Sequence, residues 1–173
     1  MNIKKTFIAA AIYALSAPVF ASGADEGLID AHRLTCYKLS SGNSAPQNYK
    51  IAAPSCEVML DVGDVPGSHI MAHLYLNGFG VQKSETKAAE IYKKLAYSGD
   101  REGQKRFGYM YLNGVGVSED IGKAYIWISL AAAQGDKEAQ NYRDQIASNL
   151  TTDQLNELQK ITMEVYAAIN NGK

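Results

Sequence analysis

Residues 73–100 read HLYLNGFGVQKSETKAAEIYKKLAYSGD, and residues 109–136 read YMYLNGVGVSEDIGKAYIWISLAAAQGD. Laid over one another at an offset of 36, they agree without a gap at 11 of 28 positions. The shared residues include Tyr75/Tyr111, Asn77/Asn113, Gly78/Gly114, Gly80/Gly116, Lys87/Lys123, Ala88/Ala124 and the closing Gly99-Asp100/Gly135-Asp136. A period of this length marks a stack of similar units, none of which buries its apolar face alone. The register continues outward: Glu102 and Gln104 recur as Glu138 and Gln140, Gly63-Asp64 precedes Gly99-Asp100 by one period, and Gly42 precedes Gly78. The chain therefore divides into a degenerate leading unit at 22–64, full units at 65–100 and 101–136, and a closing segment at 137–173.

Within each unit the apolar spacing is helical. Phe107, Met110 and Tyr111 share one face, as do Met71, Leu74 and Tyr75. Gly78 and Gly114 stand where a left-handed helix end favours glycine, and Ser84 and Asp120 then offer caps to a second helix. Small residues recur where helices must approach closely, Ala72 and Gly108 on the first helix, Ala88 and Ala124 on the second. Thr151-Thr152-Asp153-Gln154 is a capping-box pattern opening a last helix to about Ile169, with Leu155, Leu158, Ile161, Val165 and Ile169 as its buried stripe. No strand-like alternation occurs. The fold predicted is all-α: an array of helix hairpins closed by a C-terminal capping helix.

The N-terminus reads differently. Lys4 and Lys5 precede an apolar run from Thr6 to Phe20, and Val19-Phe20-Ala21 has the small-residue ending of a secretory signal peptide, with cleavage near Ala21. Its loss takes the chain from 173 to 152 residues and the net charge from −1 to −3. A mildly acidic product is a poor nucleic-acid binder. No later segment is apolar for long enough to span a membrane, while 46% hydrophobic residues supply an ordinary core. The expected location is periplasmic or secreted. An even cysteine count in an exported chain favours a Cys36–Cys56 disulfide over two free thiols. In the 36-residue register Cys36 aligns with Ala72 and Gly108 on the first helix, and Cys56 with Tyr92 and Ile128 on the second.

Phe107-Gly108-Tyr109-Met110-Tyr111, Gly114-Val115-Gly116-Val117, Lys123-Ala124, Ala131-Ala132 and Gly135-Asp136 together resemble the Sel1-like repeat, a relative of the tetratricopeptide repeat. The resemblance covers about residues 65–148; residues 22–64 share only the register of Gly42 and Gly63-Asp64. It implies a short right-handed α-solenoid of antiparallel helix pairs that binds other proteins, and exported bacterial members of the family include adaptors, regulators and immunity proteins against secreted toxins. Cysteine-rich members bridge the two helices of one unit, with the second cysteine four residues beyond the position of Cys56.

Candidate chemistry is sparse. His69 and His73 lie four apart on one helix, as two metal ligands would, yet no glutamate follows His69 and a third ligand is missing, so a surface pair is the plainer reading. Ser84-Glu85-Thr86-Lys87 spells the Ser-x-x-Lys of penicillin-binding enzymes, and a β-lactam or cell-wall hydrolase is the alternative function. The second unit, however, has Asp120-Ile121-Gly122-Lys123 in that place, and neither Ser-Asp-Asn nor Lys-Thr-Gly follows. Lys93, Lys94 and Lys123 read as solvated, and Trp127, Tyr75 and Tyr111 as packing residues. No catalytic residue, metal site or cofactor is assigned. In stacked helix pairs the first helices line the concave side, and positions opposite the core stripe face it: Arg33, Tyr37, His69, His73, Asn77, Lys105, Tyr109, Asn113, Asn141 and Gln145. That mixture of cationic, aromatic and amide groups suits a protein loop or acidic peptide. The expected function is a non-catalytic adaptor holding a protein partner in this groove, with an immunity protein against an effector toxin as its specific form.

Overall fold

The computed structural model describes residues 23–40 and 46–171; the expected signal peptide and Gly42 lie outside them. Among the described residues there are eight helices and no strand: α1 (Gly23–Ser40), α2 (Pro46–Asp61), α3 (Val65–Asn77), α4 (Glu85–Tyr97), α5 (Arg101–Asn113), α6 (Ile121–Ala133), α7 (Lys137–Ala147) and α8 (Thr152–Asn171). The fold is an all-α solenoid. The chain forms two compact units that meet in sequence within α4, one ending at Ile91 and the other beginning at Tyr92.

The repeated sequence makes repeated turns. Gly78 and Gly114 adopt φ of 71° and 66°, and their N–H groups bond back to the Leu74 and Met110 carbonyls. A side chain is strained in that left-handed conformation, so glycine recurs there. The chain then returns by matching bonds, Ser84 N–H to Tyr75 O at 2.8 Å and Asp120 N–H to Tyr111 O at 2.9 Å. Asp64, Asp100 and Asp136 each take an extended backbone and accept the N–H three residues on, from Gly67, Gly103 and Ala139. Each Gly-Asp pair thus ends one helix and starts the next.

In the unit ending at Ile91, α2 packs against both α1 and α3. Cys36 and Cys56 form a disulfide between α1 and α2, with Cα atoms 4.9 Å apart, among buried Ala52, Met59, Met71 and Leu74. In the unit from Tyr92, α6 is the central helix, contacting α5, α7 and α8. Trp127 on α6 is buried against Tyr97 and Phe107, at ring-centroid separations of 4.8 and 5.4 Å. Gly108 lets α5 lie directly on α6: a Cβ there would fall 2.6 Å from Ile128 Cγ1 and 3.1 Å from the Ile128 nitrogen. Thr151 and Gln154 form the reciprocal capping box that starts α8, whose Leu155 and Leu158 pack on the cluster around Tyr125, Ile128 and Ile146.

Candidate functional site

The ten groove positions fall on the first helices of both units, but the structure divides them into residues bound to their own chain and residues that face outward. Arg33 and Tyr37 belong to the first group. On α1, the Arg33 Nε donates to Asp64 Oδ2 at 3.3 Å, and the Tyr37 hydroxyl donates to Asp64 Oδ1. Arg33 also pairs with Asp30. Burial alone would raise the Asp64 carboxyl, yet the bonds from Tyr37, the Gly67 N–H and Arg33 outweigh it and hold the group below its ordinary value. Burial raises the Tyr37 phenol to about 12, assisted by the same carboxylate.

Lys105 departs furthest from the open groove cation expected of it. Its side chain is only 10% exposed, and its ammonium reaches Glu102 at 3.0 Å and Asp136 and Glu138 at 3.1 Å each. An ammonium has three donors, and three carboxylates account for all of them. Desolvation opposes the charged form, but these three bonds dominate and the pKa rises. The Asp136 carboxyl, bonded first by the Ala139 N–H and then by Lys105, sits below its ordinary value. The positive charge that sequence register assigned to a partner is spent inside the fold.

Arg33–Asp64 and Lys105–Asp136 are one device used twice: a cation on a first helix holds the capping aspartate 31 residues later. The sequence signal was the recurring Gly-Asp pair at 63–64, 99–100 and 135–136, which served only as a mark of the repeat register. Tyr109 is also committed locally, half-buried against Tyr142 at 4.7 Å between centroids.

Most of the remaining positions face solvent, whereas His69 is engaged within its own chain. His73, Asn77, Asn113, Asn141 and Gln145 are exposed, and His69 is half-buried. Asn77 and Asn113 each donate Nδ2 to the carbonyl four residues back, on His73 and Tyr109, at 2.8 Å. This bond fixes each side chain and leaves its Oδ1 and second N–H for another molecule. The His73 ring meets Phe79 edge-on at 5.9 Å, and Phe79 stacks on Tyr49 at 4.8 Å. That aromatic group was not legible in the repeat because the second unit has Val115 where the first has Phe79.

Ser84 caps α4, its Oγ accepting the Lys87 N–H at 3.3 Å. Lys87 and Lys123 lie over the Tyr75 and Tyr111 rings at 5.0 and 5.2 Å, and Lys123 is also paired with Asp120 at 2.8 Å, so neither reads simply as a solvated charge. Among the described residues, no three His, Cys, Asp or Glu side chains gather as metal ligands would, and no helix is long and apolar enough to cross a membrane.

The Sel1 repeat model matches residues 67–100 and 102–136. A comparison with curated proteins gives no match. Among solved structures, the chain is similar to a protective antigen of uropathogenic Escherichia coli displaying an SLR fold, with a TM-score of 0.73 and 22% identity over 84% of this chain and 31% of that one. It is similar to a Sel1 repeat protein from Oxalobacter formigenes, with a TM-score of 0.57 and 27% identity over 71% of this chain and 36% of that one. It also resembles Helicobacter pylori cysteine rich protein B, with a TM-score of 0.56 and 21% identity over 82% of this chain and 97% of that one. The chain thus spans about a third of the first two structures and nearly all of the third. With the matched turns and the family model together, residues 67–100 and 102–136 of this chain are two Sel1 repeats.

Proposed function

We propose that this protein is a non-catalytic adaptor that works outside the cytoplasm and binds one protein partner through the exposed positions of its first helices. Sel1 repeats are typically protein–protein interaction modules. The observation that carries the reading here is the set of outward amide and imidazole groups, His73 and Asn77 in one unit and Asn113, Asn141 and Gln145 in the other. Two of the asparagines are held in place by bonds to their own helix, which lowers the entropy lost when a partner orders them. Export is supported by the disulfide and by the basic-then-apolar start ending at Ala21. On this reading the chain comprises a signal peptide at 1–21, a leading unit at 22–64, repeats at 65–100 and 101–136, and capping helices at 137–173.

The test is capture of the partner from periplasmic extract, using the double variants His73→Ala/Asn77→Ala and Asn141→Ala/Gln145→Ala. Each is expected to weaken capture about tenfold, the size of a modest interface loss, with melting temperatures within a few degrees of the parent. Normal capture by both, together with loss on changing Met163 and Tyr166 of α8 to serine, would place the interface elsewhere. The specific form is an immunity protein that neutralises an effector delivered into the periplasm. It requires that a strain lacking the gene die under toxin challenge, and normal survival would leave only the general adaptor role.

A further inference from the structure

One difference between the two repeats lies in the turn between their helices. In the second repeat, Lys123 lies over the Tyr111 ring and is paired with the capping carboxylate of Asp120 at 2.8 Å. In the first, Lys87 lies over Tyr75 in the same way, but the cap is Ser84, an uncharged hydroxyl. The neighbouring Lys83 is held by Glu85 at 2.8 Å. Among the described residues no carboxylate pairs with the Lys87 ammonium. Around it lies a cavity of about 440 Å³ lined by Tyr75, Ser84, Lys87 and Glu57.

We infer that this cavity binds a peptide carboxylate, which takes the place that Asp120 fills in the second repeat. The Lys87 ammonium supplies the charge. The Ser84 oxygen accepts the Lys87 N–H, which leaves its own proton to donate to the ligand. Glu57 offers an acceptor for an N–H of the same ligand, which favours a peptide over a bare small acid. The aromatic floor under Lys87 adds contact area and holds the lysine chain in place. This goes beyond the partner-binding face described above and rests on the protein-binding reading only for the natural source of the carboxylate.

The experiment is titration of the isotope-labelled full-length protein with three probes, followed by the backbone amide signals of Gln82 to Lys87. The probes are N-acetyl-Ala-Ala with a free carboxylate, the same dipeptide as its C-terminal amide, and N-acetyl-Ala-Asp-Ala amide. At least one of the two carboxylates is expected to shift these signals while the neutral amide does not. The stronger responder tells a chain terminus from an acidic side chain. Lys87→Gln is expected to weaken binding about fivefold, the upper range for one exposed ion pair. Ser84→Asp rebuilds the second repeat's arrangement, keeps the cap and should abolish binding. Equal shifts from the neutral amide, no shifts from either carboxylate, or unchanged affinity in Ser84→Asp would overturn the assignment. Unaltered partner capture by the face variants would defeat the functional reading and leave these shifts standing, whereas absent shifts with capture intact would defeat the pocket alone.

Discussion

Lys105 shows how one residue serves the fold rather than a partner. Its ammonium joins Glu102 on its own helix to Asp136 and Glu138 at the start of α7. Removing it leaves the 11%-exposed Asp136 carboxylate without its cation. Lys105→Met is therefore expected to lower stability by about 2 kcal/mol, read as a shifted urea midpoint with an unchanged slope. The carboxyls of Asp64, Glu102, Asp120 and Asp136 all sit below their ordinary values in the folded chain. An unfolded chain, titrating near pH 4, then binds more protons than the folded one. The stability they contribute is present above about pH 4 and is lost as pH falls through the folded values. Urea midpoints should accordingly drop between about pH 5 and pH 2, and Lys105→Met should flatten that dependence because two of the four groups lose a partner. A midpoint independent of pH in this range would contradict the network.

At the scale of the helix, the repeat works through close approach at small residues and through turns set by glycine and aspartate. Gly108→Ala should destabilise by about 1–3 kcal/mol, as overpacking does, because the added carbon meets Ile128 backbone as well as its side chain. Thermal melts of this variant against Gly27→Ala on α1, where the added carbon meets nothing within 4 Å, would separate crowding from a general intolerance of change. These elements were readable in advance because a cap, a left-handed glycine and a 3.6-residue apolar period are chemistry within a few residues of chain. Ser84, Asp120, Gly78, Gly114 and the Thr151 capping box were all legible for that reason. The Lys105–Asp136 and Arg33–Asp64 pairs were not, since each spans 31 residues and local patterns say nothing about which cap a cation will reach.

Across the whole molecule, the units carry different reinforcements. The unit ending at Ile91 holds the Cys36–Cys56 bridge, and the unit from Tyr92 holds the sole tryptophan, Trp127, in its aromatic core. Closing a 20-residue loop contributes about 3 kcal/mol in the chain-entropy estimate. Cys36→Ser/Cys56→Ser should lose roughly that much from the first unit, seen as faster amide exchange in α1 to α3, while the Trp127 fluorescence transition moves little. A Trp127 transition displaced by the full amount would show that the units unfold as one. The 36-residue identities were enough to specify helix pairs, their turns, the pairing helices of the two cysteines and a polar first-helix face, because each follows from periodic local chemistry repeated along the chain. Which of those polar residues remain outward was decided by three-dimensional packing. Arg33, Tyr37 and Lys105 were engaged by capping aspartates whose proximity only the folded helices create, and His73, Asn77, Asn113, Asn141 and Gln145 were left facing solvent.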